Sequence, residues 1–174
     1  MHLVIGAVVL AAGAATRFGA PKQRLLLPAV LERLTGVDQV VVVAGAHALE
    51  GAVDCPDWER GPGASLRCGL AALDDRVEAA VVVLADGPDL APAAIERVLS
   101  TWRESRNPLV AASYGGVRGH PLVVARSAWG DIPDEGLRAH EPLLVPCDDL
   151  GAPGDVDYPE ELPERFRRTP AEPM

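Results

Sequence analysis

Three stretches of the chain are apolar without interruption: residues 4–10 (VIGAVVL), 40–44 (VVVVA) and 79–84 (AAVVVL). A strand with one face in water alternates apolar and polar side chains. An unalternating run of this length fits a parallel strand covered by helices on both faces. Helical patterns fall between and after the runs, at residues 25–34, 65–73 (SLRCGLAAL) and 92–102 (PAAIERVLSTW). Ser65 offers a hydroxyl for capping the second. Pro92 suits the first turn of the third, where a missing N–H costs nothing, and Asp89 precedes it as a candidate cap. Strand alternating with helix predicts an α/β fold: three layers, doubly wound, around a mostly parallel mixed sheet.

The last third changes character. LVAASYGGVRGHPLVVA reads as two strands around a Gly-rich turn, an antiparallel excursion. A short helix over residues 126–130, a strand in PLLVPCD and a terminal helix in PEELPERFRR, broken early by Pro163, are expected to follow. No repeat or linker divides the chain. Residues 1–168 are expected to form one domain and residues 169–174 a frayed tail.

Aromatic residues make up only 4% of the 174 residues, so the core must come from Ala, Val and Leu. The net charge of −9 argues against nucleic-acid or anionic-membrane surfaces, which need basic excess. The three cysteines, Cys55, Cys68 and Cys147, are scattered and odd in number, and read as small buried thiols rather than a disulfide or zinc framework. The apolar N-terminal run lacks a basic leader and is too short to span a bilayer. The expected compartment is the reducing cytoplasm.

The first strand delivers the chain into LAAGAATRFGAPK, Leu10 to Lys22. In open α/β sheets ligands sit beyond the carboxyl ends of strands. Small residues there let main-chain N–H groups converge on an anion. No acid occurs before Glu32, so Arg17, Lys22 and Arg24 form a locally positive segment of an acidic chain, and Lys22 is the only lysine. A compact ammonium suits a phosphate whose charge moves during reaction. The loop is neither a Walker A sequence nor GxGxxG. It matches L-A-A-G-x-x-x-R-x-G-x-x-K at every fixed position, and so resembles the MobA-like nucleotidyltransferases, in particular the molybdenum cofactor cytidylyltransferases.

ADGP, residues 85–88, puts Asp86 just past the third apolar run. From position alone it is either a metal-binding carboxylate or a turn residue. The resemblance aligns it with the metal-binding Asp of G-D-x-P, with Ala85 in place of Gly. GDVDYPEEL resembles D-x-D-T-P-E-D-L, which implies Asp157 as second metal ligand with Asp155 as the alternative; Tyr158 replaces Thr. GPGASLRCGL resembles G-x-x-x-S-L-R-x-G-L and implies that Ser65 helps receive the nucleotide, while Arg67 is equally compatible with a solvated helix position. GVRGHP and PDEGLR resemble the family's G-x-x-G-H-P and G-D-x-G-x-R, which implies acceptor contacts for His120 and Arg138. Asp134 and Gly136 match, and Pro133 departs. A His holding the turn before Pro121 is the plainer reading of His120.

The resemblance covers roughly residues 3–163. It implies Mg²⁺-dependent transfer of a nucleotidyl group from an NTP, CTP first, to a phosphate-bearing acceptor, the molybdopterin cofactor first, with pyrophosphate released. Leu10, Ala11, Ala12, Gly13, Arg17, Lys22 and Ser65 are the implied nucleotide contacts. Arg17, Lys22 and Asp86 are the implied catalytic set, and Asp86 with Asp157 the metal ligands. A molybdoenzyme receiving the product is an implied partner. Transfer to a sugar phosphate or isoprenoid-precursor phosphate, and a non-catalytic nucleotide- or cofactor-binding module, are the alternatives. The segments after Lys22 and Ala44 are shorter than is usual in the family, which predicts trimmed helices there.

Overall fold

A computed structural model of the chain describes residues 2–13, 22–154 and 159–166, and for residues 22 and 159 the main chain only. The candidates Arg17, Asp155 and Asp157, the side chain of Lys22 and the tail at 169–174 lie outside the described residues.

The three apolar runs become strands β1 (Ile5–Ala11), β2 (Gln39–Ala44) and β4 (Ala79–Leu84), with a two-residue β3 (Val53–Asp54) between β2 and β4. The Gly-rich excursion forms β5 (Leu109–Tyr114) and β6 (Val117–Ala125), and β7 is Leu143–Pro146. Among the described residues they make a seven-stranded sheet in the order β3-β2-β1-β4-β6-β5-β7. β1 pairs in parallel with both β2 and β4, β6 runs antiparallel to β4 and β5, and β7 returns parallel to β5. The expected mostly parallel mixed sheet is therefore found.

Helices α1 (Lys22–Glu32) and α3 (Pro92–Ser105) cover one face and α2 (Pro62–Ala71) the other. Successive residues of β1 explain the continuous apolarity: Ala7 and Val9 enter the α1/α3 core, while Val8 packs with Leu66 and Leu70 of α2. Ala7, Val8 and Val9 are fully buried. Gly69 lets α2 press directly onto the sheet; a methyl group there would lie 2.4 Å from Val8 and 2.8 Å from Val43.

Several local expectations need correction. Helix α1 begins at Lys22, three residues before the apolar pattern, and contains Pro28. Helix α2 begins at Pro62 with Gly61 as its cap, so Ser65 lies inside the helix and caps nothing; Pro at the first position overrides the weaker Ser signal. Helix α3 is capped at Ala91, and Asp89 instead pairs with Arg165 at 2.8 Å. Residues 126–131 form a 3-10 turn rather than an α-helix. The expected terminal helix is two 3-10 turns, Pro159–Glu161 and Glu164–Phe166, separated at Pro163.

Between β2 and β3 the chain makes turns and bends only, with no helix among those residues. The cysteine reading fails for one pair: Cys55 and Cys68 are joined by a disulfide, linking the residue after β3 to α2. Cys147 is a free, buried thiol. Among the described residues no helix is long and apolar enough to cross a membrane.

Candidate active site

The site is set by where β1 and β4 stop. Their register pairs Leu10 with Leu84, and the N–H of Ala85 then donates to the Leu10 carbonyl at 3.0 Å. Because the strands are parallel, the turns that follow them open on the same edge. One carries Ala12 and Gly13, the other Asp86. Ala11 and Ala12 are buried and Gly13 is exposed, so the chain emerges from the sheet at the glycine. Asp86 is half-buried on the neighbouring turn, which the N–H of Gly87 closes onto the Leu84 carbonyl at 3.3 Å.

The glycine turn is held from two sides. The N–H of Ala46 donates to the Ala12 carbonyl at 3.3 Å. Gly45 permits that approach: a methyl group there would lie 2.6 Å from the same carbonyl and from the Trp58 ring. From α1, the Gln23 amide donates from Nε2 to the Gly13 carbonyl at 2.9 Å. Gln23 is 4% exposed, and among the described residues its buried Oε1 meets no hydrogen-bond partner. The Gly13 carbonyl fixes which end of the amide is the donor, since two acceptors would repel. A buried acceptor left unmade costs on the order of 1–3 kcal/mol. Sequence reading passed over Gln23. Its only signal is an amide following Lys22 at the start of an apolar helix.

Ser65 is nearly fully buried, and its main-chain N–H is taken by the Gly61 carbonyl at 3.4 Å. The N–H of Gly63 donates to the Asp134 carbonyl at 2.8 Å and that of Ala64 to Gly61 at 3.2 Å. The start of α2 thus spends its amides within the protein. It docks on the PDEGLR segment so closely that any side chain at Gly63 would overlap the Pro133 carbonyl, 1.7 Å away. Arg67 donates to the Ile132 carbonyl at 2.7 Å and to the Asp134 carboxylate, which Arg60 also reaches at 3.2 Å. The Arg67 hydrogen bond holds the Asp134 carboxyl below the usual range, with Arg60 adding to it. Two of the sequence motifs are therefore built onto each other, and Arg67 is an internal tie.

A cavity of about 480 Å³ opens beside the Asp86 turn. Leu84 and Gly87 form one wall, Tyr114, Arg118 and His120 another, and Pro153 a third. The structure thus brings His120 to the end of β4, next to the turn that carries Asp86. The Tyr114 hydroxyl donates to the His120 carbonyl at 2.7 Å, next to a cis His120–Pro121 peptide. Burial pushes the Tyr114 phenol up to about 12, so it stays a neutral donor. Arg118 donates from Nη1 to the carbonyls of Leu137 and His140, at 3.1 and 2.8 Å. That tether holds the exposed Arg138 segment against a residue lining the cavity. The N–H of Asp89 donates to the Pro153 carbonyl at 2.9 Å, which pins the chain leading to Asp155 at the same wall. Tyr114 and Arg118 are further site residues the sequence reading did not select, although Arg118 lies within the GVRGHP motif.

Residues 7–141 match the MobA-like NTP transferase domain. The chain belongs to that family. As a MobA-like NTP transferase it has the nucleotidyltransferase fold and chemistry of the group. No curated protein matches it. Among solved structures it is similar to Rv0371c from Mycobacterium tuberculosis H37Rv, with 28% identity, 91% of this chain and 95% of that chain covered, and a TM-score of 0.75. A structure of Rv0371C in complex with manganese is similar at 27% identity, covering 82% and 88%, with a TM-score of 0.63. Molybdopterin-guanine dinucleotide biosynthesis protein A from Archaeoglobus fulgidus shares the fold at 17% identity, covering 92% and 96%, with a TM-score of 0.65.

Members of this family work with divalent metal. No group of three or more metal-ligating side chains converges among the described residues. The Asp86 carboxylate is a hard oxygen donor at the strand edge. It fits a small divalent ion that keeps most of its waters and takes its other ligands from phosphate.

Proposed function

We propose that this MobA-like transferase moves CMP from CTP onto a phosphate-bearing acceptor, with molybdopterin as the first acceptor, and releases pyrophosphate. An acceptor phosphate oxygen forms a bond to the α-phosphorus. The bond from that phosphorus to the bridging oxygen breaks, and its electron pair leaves with pyrophosphate. The observation that carries the reading is the parallel pairing of β1 and β4, which opens the Gly13 turn and the Asp86 turn on one edge beside the 480 Å³ cavity.

Both reactants are anions, so charge is the obstacle. The main chain of Leu10–Gly13, with Arg17 and Lys22, would hold the triphosphate and stabilise the departing pyrophosphate. Asp86, with Asp157, would hold Mg²⁺, which supplies neutralisation of phosphate charge when bound. The cavity walls at Tyr114 and His120 would seat the acceptor, with Arg138 at its rim. Ser65, buried in α2, supports the nucleotide side by packing. An acceptor phosphate is already ionised, so no general base is needed, and the rate gain comes from positioning and charge stabilisation.

The test is pyrophosphate release by the purified chain with Mg²⁺, across the four NTPs and a panel of molybdopterin, sugar phosphate and isoprenoid-precursor phosphate. Release that requires CTP and molybdopterin together supports the reading. Release with another acceptor reassigns the substrate. CTP binding without turnover on any acceptor marks a binding module instead.

A further inference from the structure

We propose that the Cys55–Cys68 disulfide is a redox switch on nucleotide affinity, acting through Trp58 and the end of β2 on the Ala12–Gly13 turn. This rests on the nucleotidyl-transfer reading above and adds a control that reading does not contain. The bridge joins the residue after β3 to α2, and the loop it closes carries the 3-10 turn Trp58–Arg60. Two routes lead from Cys55 to the nucleotide turn. Along the first, the Cys55 N–H donates to the Ala44 carbonyl at 2.8 Å, and two residues on the N–H of Ala46 holds the Ala12 carbonyl. Along the second, the N–H of Trp58 donates to the Cys55 carbonyl at 3.3 Å. The Trp58 side chain lies so close on Gly45 that a methyl group there would meet its ring at 2.6 Å. Cys68 supplies the fixed point, since its neighbour Gly69 lets α2 press onto Val8 and Val43 of the sheet. Opening the bridge leaves these hydrogen bonds in place but removes the covalent tie of Cys55 to that helix. The Ala12 carbonyl is then held less firmly, and the turn meets a triphosphate less preorganised.

A switch must be dispensable for folding and open to a reductant. The sheet carries an apolar core on each face, and a domain of this size needs no staple to fold. Cys55 is 2% exposed and Cys68 half-buried, so Cys68 is the side open to attack. A thiolate of a small dithiol reductant bonds to Sγ of Cys68. The protein S–S bond breaks, and its electron pair leaves on Sγ of Cys55, which takes up a proton. The second thiolate of the reductant then closes its own disulfide and releases Cys68, which is protonated in turn. Two electrons and two protons pass from the dithiol to the protein, and a low-molecular-weight disulfide reverses the exchange.

The test uses the full chain, oxidised with a low-molecular-weight disulfide or reduced with a dithiol, without denaturant. Thiols counted after quenching and unfolding fix each state, with Cys147 alone expected free in the oxidised chain. Circular dichroism checks that both are folded, and calorimetry gives the dissociation constant for CTP with Mg²⁺. The switch predicts affinity weakened about tenfold on reduction and recovered on reoxidation. The double variant Cys55→Ser with Cys68→Ser is expected to bind like the reduced chain under either condition. Linkage requires the converse, so saturating CTP with Mg²⁺ should move the midpoint potential of the bridge about 30 mV more negative. An affinity loss below about threefold on reduction overturns the switch while leaving the transfer reading standing. A reduced chain that no longer folds, or a bridge that resists the dithiol in the native protein, overturns it as well, since either marks a structural staple. So do three free thiols in the oxidised chain. An oxidised chain that binds none of the four nucleoside triphosphates overturns the transfer reading itself, and the switch falls with it.

Discussion

Ala85 and Leu10 share a main-chain hydrogen bond of 3.0 Å, one residue past the last paired position of β4 and β1. It keeps the two strands in register up to the turns bearing Gly13 and Asp86. Asp86→Asn keeps shape and removes charge. The expected result is a loss of turnover on the order of a hundredfold or more, with CTP affinity in the absence of metal changed little. Steady-state rates together with calorimetry check this, and wild-type turnover in the variant would remove Asp86 from the metal site.

Lys22 opens helix α1 directly before Gln23. Lys22→Met is expected to lower kcat by roughly a hundredfold, as loss of a charge-stabilising donor does. The check is single-turnover CMP transfer, and a rate near wild type would return Lys22 to the solvated surface.

Gly45 lies against the back of the Ala12–Gly13 turn, where an added methyl group meets backbone and the half-buried Trp58 ring at 2.6 Å. Neither neighbour can swing aside as a flexible side-chain end would. Gly45→Ala is expected to cost about 2 kcal/mol and to weaken nucleotide binding by displacing Ala12. Urea unfolding and a CTP titration measure the two effects; an unchanged unfolding midpoint would show that the turn tolerates the displacement.

The Cys55–Cys68 bridge closes a loop with a sequence separation of 13. Loops of that size contribute about 3 kcal/mol when cross-linked, mainly by restricting the unfolded chain. Unfolding in reductant should therefore show a stability lower by about that amount, and Cys68→Ser should match the reduced protein. Thiol labelling before and after reduction checks the bond directly, and identical unfolding curves would argue that it does not form.

Asp134 sets a pH limit. Its carboxyl is held below the ordinary value by Arg67 and Arg60, so its contribution to stability is complete above the unfolded-state pKa of about 4 and is lost as pH falls through the lower folded value. Stability measured from pH 6 downward should drop in that acid window. Asp134→Asn should be less stable at pH 6 and flatter below it. Parallel slopes for the two proteins would show that the ion pairs contribute nothing measurable.

The strands were the most legible part of the sequence because burial on both faces leaves an unbroken apolar record. Asp86 was legible for the same reason: a polar residue just beyond such a run must lie at the sheet edge. β3 was not, since two residues have no periodicity. The Cys55–Cys68 pairing was hidden because it depends on β3 and α2 meeting in space. Ser65 misled because its hydroxyl resembles a cap, while Pro62 sets the true helix start. Arg67 and Asp134 belonged to separate motifs, and only the close approach permitted by Gly63 explains them as partners. Gln23 was invisible for a different reason, as an amide at a helix start looks like surface until its burial is known.

β4 sits between β1 and β6, although the chain completes β2, β3 and α2 before reaching it. The middle of the sheet is thus assembled from segments remote in sequence, and such pairing slows folding because ring closure precedes its reward. During synthesis the N-terminal strands must wait, with one lateral edge of β1 bare, until Ala79–Leu84 leaves the ribosome. Catalytic competence is therefore a late property of the nascent polypeptide, acquired in the same event that hides its most adhesive border.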